Sequence, residues 1–230
     1  VTPGTLRALL AARHASRPVV LATRIPDGHQ SLLPDDPAAP TGLREAAERA
    51  LQRGESHLAE IAGQTWFLQV YAPPFRLLVV GAVHIAQALA PLAESLSYAV
   101  TVLDPRRAFA SEDRFPGVTL SHSWPDEGLD AFGLDRRTAV VALTHDPKLD
   151  DPALDVALRS DAFFIGALGS RKTHAARLSR LADRGHAPEA LARIRGPVGL
   201  ALGAVTPHEI ALSILAEIIA VRRGAPLGQR

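Results

Sequence analysis

The hydrophobic positions of this 230-residue chain change rhythm once. Up to about residue 72 the apolar runs are short and of mixed type. Leu6, Leu9 and Leu10 fall at helical spacing and predict a short amphipathic helix over 4–14. "RPVVLATRI" predicts a strand over 18–24, and the turn-rich "DGHQSLLPDDPAAPTG" predicts a loop around another short strand. "LREAAERALQR" (43–53) reads as a helix that Gly54 ends. "SHLAEIAG" and "TWFLQVYA" read as two strands of a hairpin turning near Gly63 and Gln64. The two prolines of "YAPPF" (71–75) oppose both helix and sheet pairing, so the sequence divides there. The expected domains are a small mixed α+β unit over 1–72 and a second unit over 73–230.

Beyond that boundary, near-continuous apolar runs alternate with helical patterns. Strands are expected at 76–80, 98–103, 118–121, 137–143 and 162–167, with helices at 84–96, 126–132, 151–159 and 171–184. Apolar strands without alternation are those of a parallel sheet covered on both faces, so the expected fold is α/β and Rossmann-like. In "TPHEIALSILAEIIAVRRG", Thr206 can cap a last helix, Pro207 suits its first position and Glu209 can close a capping box. Gly224 marks its stop. Its apolar run predicts packing on the sheet or a homodimer contact.

Composition narrows the function. With 47% hydrophobic residues the chain can build a full core. The balance of 25 basic against 24 acidic residues gives no electrostatic case for a nucleic-acid or membrane partner. No apolar run nears the roughly 18 residues of a membrane span. The first residues do not read as a signal peptide, because two arginines and a histidine interrupt their apolar stretch. The absence of cysteine excludes disulfides, cysteine-ligated zinc and a thiol nucleophile, and fits a cytoplasmic protein. No G-x-S-x-G nucleophile elbow occurs, and no second His/Asp/Glu pair stands at helical ligand spacing beside "THDPKLDD", so neither a hydrolase nor a metal site is expected.

The turn in "LLVVGAVHIAQALA" (77–90) carries the chemistry of a dinucleotide fingerprint in damaged form. Gly81 and Ala86 satisfy its first and third small positions, but Val83 stands where the second glycine lets a pyrophosphate approach. Asp104 ends the second strand roughly twenty positions on, the place of a ribose-binding carboxylate. Ligands of open parallel sheets gather at the carboxyl ends of the strands. There the sequence offers His84, then Asp104 and Arg106, then Thr144, His145, Asp146 and Lys148, and then Gly166, Gly169, Ser170, Arg171 and His174. "IGALGSRKTH" places free helix-start amides, hydroxyls and two cations together, which suits a phosphate; a solvated basic first turn is the plainer reading. "THDPKLDD" suits either polar contacts or an Asp-Pro turn with a helix cap at Asp150 or Asp151. The remaining histidines have no constellation.

Taken in order, "LLVVGAVHIAQALAPLA", "VTVLDPRRAFA", "ALTHDPKLDDPAL", "FFIGALGSRKTHAARL" and "PVGLALGAVTPHEIALSILAEIIAVRRG" resemble the C-terminal Rossmann domain of the XdhC/CoxI family. Residues 1–72 resemble a shortened N-terminal domain of that family much more weakly. The resemblance implies an accessory protein rather than a catalyst. Such a protein binds molybdenum cofactor, as molybdopterin or its nucleotide form, and assists its sulfuration or insertion into a xanthine-dehydrogenase-type apoenzyme. A cysteine desulfurase is a second implied partner. Carried over by motif, Gly169, Ser170 and Arg171 would hold phosphate, Asp104 a ribose or pterin edge, and His145 and Asp146 polar ring groups. Gly81, His84, Arg106, Thr144, Lys148, Gly166 and His174 complete the expected site. Three departures stand out: Val83 in the glycine turn, Ala201 where the family carries an aspartate, and no glycine-rich cysteine motif near the start. The residues alone leave two alternatives, an NAD(P)-dependent oxidoreductase and a non-catalytic nucleotide-binding regulatory module.

Overall fold

The computed structural model describes residues 2–226; Val1 and the last four residues of the expected second domain lie outside the described residues. The chain forms two compact units that divide between Pro73 and Pro74.

The first unit runs α1 (Pro3–His14), β1 (Val19–Arg24), β2 (Gln30–Leu33), α2 (Thr41–Arg53), β3 (His57–Ile61) and β4 (Gln64–Tyr71). Its four strands form an antiparallel sheet in the order β2-β1-β4-β3. Side chains of a strand alternate between faces, and β1 is buried on both. Val20 and Ala22 pack with Leu43, Ala46 and Ala50 of α2, while Val19 and Leu21 pack with Leu9 and Ala12 of α1. The expected apolar face of α1 is corrected here. Leu9 and Ala12 make the contact, and Leu6 and Leu10 are exposed, because only one turn-to-turn stripe reaches the sheet. The β3–β4 hairpin turns on Ala62 (φ 51°) and Gly63 (φ 72°), the left-handed pair of a tight two-residue loop.

The second unit runs β5 (Arg76–Val80), α3 (His84–Ser95), β6 (Ala99–Leu103), β7 (Thr119–Ser121), α4 (Pro125–Phe132), β8 (Thr138–Ala142), α5 (Pro147–Leu158), β9 (Phe164–Ala167), α6 (Arg171–Asp183), α7 (Pro188–Leu191), β10 (Ile194–Arg195) and α8 (Pro207–Arg223). All six strands are parallel, in the order β10-β9-β8-β5-β6-β7. The strands are apolar throughout because both faces are covered. Leu77, Val79, Val102 and Val141 face the helices α3 and α8, and Leu78, Val80, Val140 and Ile165 face α5, with Leu129 of α4 and Leu181 of α6. The fold is thus the α/β, Rossmann-like sheet with a mixed unit before it.

The last helix starts as its sequence predicts. Thr206 accepts from the Glu209 amide, and the Glu209 carboxylate accepts from the amides of Val205 and Thr206. Its apolar run goes into the core, with Ala211, Ile214, Leu215 and Ile218 buried beside α3. Helix α5 begins four residues before the expected start at 151. Asp146, not Asp150 or Asp151, is its cap, accepting from the Lys148 amide with Pro147 in the first turn.

Candidate functional site

The strand order reverses between β5 and β8, so their carboxyl ends open the natural ligand crevice of this sheet. Gly81 leaves β5 at φ 105°, and a Cβ there would overlap Cγ2 of Thr144 at the end of β8. The glycine therefore serves the close approach of two strand ends as well as the turn. Gly81→Ala is expected to destabilise the unit by about 2–4 kcal/mol, the sum of overpacking and left-handed strain. Adding Thr144→Ser, which removes only the obstructing methyl, should recover part of that loss in urea unfolding; no recovery would place the strain elsewhere. Val83 caps α3 in extended backbone without a side-chain hydrogen bond, and part of its side chain packs on the core. His84 follows, exposed on the first turn.

Asp104 is fully buried at the end of β6. Its Oδ2 accepts from the Ala82 amide at 2.9 Å and from Arg106 Nη2 at 2.7 Å. Its Oδ1 accepts from the Arg106 amide and Arg106 Nε, each at 2.9 Å. A carboxylate has about four acceptor positions, and four donors fill them. The residue that spacing assigns to a ribose is thus turned inward, binding the glycine turn on one side and holding Arg106 as a fork on the other. Burial raises the carboxyl pKa, but Arg106 and the two amides outweigh it and hold it below the ordinary carboxylate range.

A second buried carboxylate organises the β8–α5 loop. Asp150 accepts from the Thr144 hydroxyl at 2.6 Å and from the Thr144 amide through Oδ1, and from the His145 amide at 3.1 Å through Oδ2. His145 is held with φ 62°, a conformation a non-glycine residue keeps only when its surroundings enforce it. Arg177 of α6, 1% exposed, reaches the same carboxylate at 3.4 Å and donates to the Leu168 carbonyl at 2.8 Å. One guanidinium thereby ties the loop after β8 to the loop after β9. Burial pushes the Asp150 carboxyl up and the Arg177 guanidinium down from their ordinary values.

Where those loops meet, His145 Nδ1 lies 3.7 Å from where a Cβ of Gly169 would stand. Gly169, at φ 139°, leads into α6, which Ser170 caps by accepting from the Thr173 amide at 3.1 Å. The amides of Arg171 and Lys172 precede it in the first turn, where a helix provides no internal acceptor. That turn holds both cations and no acid.

The structure thus brings Gly81 to Thr144, Asp104 to Arg106, and His145 to Gly169. Asp146 is occupied as a cap, and Lys148 is exposed beyond it. Gly166 lies within β9, where a Cβ would meet Val198, and His174 packs against Gly196; both are set back among the residues around β10. Reasoning from sequence missed Arg177, whose place on an amphipathic helix reads as solvent-facing. It also missed Arg114, which donates to the carbonyls of Ala82 and Phe109. Glu217 of α8, fully buried and accepting from the Gly199 amide at 2.6 Å, was hidden inside an apolar run. Among the described residues no group of three or more His, Asp or Glu could hold a metal ion, and no helix is long and apolar enough to cross a membrane.

This geometry, a parallel six-stranded sheet with polar loops at the carboxyl ends, defines a Rossmann-type domain. Residues 77–218 match the XdhC Rossmann domain, and the chain belongs to that family. It is 35% identical over 152 residues to the molybdenum cofactor insertion chaperone PaoD of Escherichia coli (strain K12), covering 66% of this chain and 42% of that protein. It is 34% identical over 158 residues to a probable xanthine dehydrogenase subunit of Bacillus subtilis (strain 168), covering 68% of this chain and 46% of that one. The uncharacterized protein YqeB of Escherichia coli (strain K12) is 36% identical over 163 residues, 70% of this chain and 30% of its own length. The aligned region spans less than half the length of each of these relatives. A crystal structure described as a xanthine dehydrogenase from Bacillus halodurans shares the fold, with a TM-score of 0.69 at 22% identity, over 96% of this chain and 67% of that one.

Proposed function

We propose that this chain binds molybdenum cofactor, as molybdopterin or its nucleotide form, at the carboxyl ends of β5, β8 and β9. It then assists sulfuration of that cargo or its delivery to the apoenzyme of a xanthine-dehydrogenase-type molybdenum hydroxylase. The observation that carries the reading is the start of α6. Two cations stand in a helix turn with no acid, next to a serine cap and a glycine turn, where a helix dipole disfavours positive charge unless an anion sits nearby. A phosphate-bearing pterin supplies that anion. Ser170 and Arg171, with the turn amides, would hold its phosphate; His145, fixed across from Gly169, would meet polar groups of its rings. The similarity to an insertion chaperone supports the same cargo and a molybdoenzyme partner. With no cysteine in the chain, sulfur for the cofactor would come from a partner such as a cysteine desulfurase. Such a role belongs in the cytoplasm.

Calorimetric titration tests this reading, with molybdopterin, NAD and NADP run in parallel. Molybdopterin is expected to bind in the ~micromolar range while both nicotinamides stay silent. Arg171→Ala is expected to weaken molybdopterin binding by about ten-fold, the loss of one charge-assisted hydrogen bond. Binding of NAD without molybdopterin would overturn the reading in favour of an oxidoreductase, and Val83→Gly would then tighten NAD further.

A further inference from the structure

Phe109 and Trp124 (53% exposed) stand apart from the buried aromatic residues of this sheet. Phe75, Tyr98, Phe115 and Phe164 are each 6% exposed or less, whereas Phe109 is 44% exposed. It lies on the loop after β6, directly beside the β5–α3 turn. Arg114 Nη1 donates both to the Ala82 carbonyl at 2.9 Å and to the Phe109 carbonyl at 2.6 Å, and Arg114 Nη2 donates to Gln87 of α3 at 2.8 Å. The loop is therefore fastened to the turn through its backbone. The ring meanwhile carries Arg106 at 4.5 Å on one contact and Arg114 at 5.8 Å on another.

Neither arginine needs the ring. Arg106 already has the carboxylate of Asp104 in a two-pronged grip, and Arg114 has three acceptors. The arrangement leaves an exposed aromatic ring on a fastened loop and a planar guanidinium gripped by Asp104, beside the turn where a Rossmann sheet receives its ligand. Aromatic and guanidinium planes bind flat heteroaromatic rings by stacking, and prior immobilisation lowers the ordering cost of doing so.

We propose that Phe109 and Arg106 form a stacking platform for the planar heteroaromatic ring of the ligand, a pterin or the purine of a nucleotide form. This deepens the cofactor-binding reading above and rests on it for the choice of cargo. It also gives Asp104 a task that its saturated oxygens allow: holding Arg106 flat.

Two variants test the platform. Phe109→Trp places a fluorophore in the ring position, read as the difference from the parent protein, which keeps Trp66 and Trp124. Molybdopterin or guanosine monophosphate is expected to quench the added emission, and inorganic phosphate to leave it unchanged. Phe109→Ala keeps the carbonyl that Arg114 holds, so the loop stays fastened. It is expected to weaken ring-ligand binding by about ten-fold, in keeping with the loss of one stacked base. Phosphate affinity should not move. Ring ligands that bind Phe109→Ala as tightly as the parent would overturn the platform. Molybdopterin binding that ignores Phe109 sinks the platform and spares the cofactor reading. Guanosine monophosphate that depends on Phe109 while molybdopterin fails to bind does the reverse. Binding of neither ring compound sinks both.

Discussion

Asp150→Ala is expected to lower the stability of the second unit by about 3–5 kcal/mol, measured by urea unfolding. Three consequences add. The Thr144 hydroxyl and the amides of Thr144 and His145 lose their common acceptor. His145 loses the bond that holds it at positive φ. Most of the cost comes from Arg177, left charged in an interior where it is 1% exposed and unable to release its proton. Arg177→Met is expected to cost less at neutral pH, because the carboxyl it abandons keeps three donors and can take up a proton. The sign of the pH effect follows. Burial already sets the folded pKa of Asp150 above its unfolded value of about 3.9, so the folded state binds the proton more tightly. Stability contributed by this group is present below the unfolded pKa and is lost as pH rises through the folded one. Removing Arg177 raises the folded value further. Arg177→Met should therefore lose stability from about pH 4 upward, while Asp150→Ala, with no carboxyl to titrate, should not. The double variant should be more stable than Asp150→Ala alone. A single Asp150→Ala loss below about 1 kcal/mol would show that the pair is not the tie between the two loops.

Much of the fold could be read in the sequence because burial on two faces leaves a direct mark. Leu77–Val80 and Thr138–Ala142 are apolar at every position or nearly so, and such short runs between helical stretches have few other readings. The start of α8 was legible for a different reason: Thr206, Pro207 and Glu209 act locally, through backbone amides within one turn. The start of α5 was ambiguous because Asp-Pro occurs twice within this stretch, at 146–147 and 151–152. The first pair begins the helix, and Asp150 is needed elsewhere, as acceptor for Thr144 and His145. That demand comes from a loop folding back on a carboxylate, and no periodicity records it. β10 and α7 span two and four residues, too short to show a period. In the site, the strand-end loops could be located from the strands themselves. Their internal wiring could not, since it depends on which donor reaches which oxygen. Asp104 shows the difference: its spacing marks the position, but Arg106, two residues on, decides what its oxygens do.

Asp104→Ala should expose that wiring most directly. The substitution leaves the buried Ala82 amide without its acceptor and frees Arg106 from both prongs, for an expected loss of about 2–3 kcal/mol. The cost is smaller than at Asp150 because the Arg106 side chain is 39% exposed and can turn to water. Acid dependence separates this carboxylate from the others. Its folded pKa lies below the unfolded value of about 3.9, so its stabilisation is fully present above the unfolded pKa and is lost as pH falls through the folded one. Other carboxylates with lowered values, such as Asp135 and Glu209, are common to both proteins and cancel in the difference. The stability gap between parent and Asp104→Ala should therefore be constant above about pH 5 and narrow progressively below about pH 4. A gap that stays level down to pH ~3 would mean that the four bonds act through packing and not through the charge. If Asp104 also keeps Arg106 flat, the variant should lose ring-ligand affinity as Phe109→Ala does while keeping its phosphate affinity. Stability and binding would then fail together for one reason: a carboxylate placed for a ribose has been committed to an arginine.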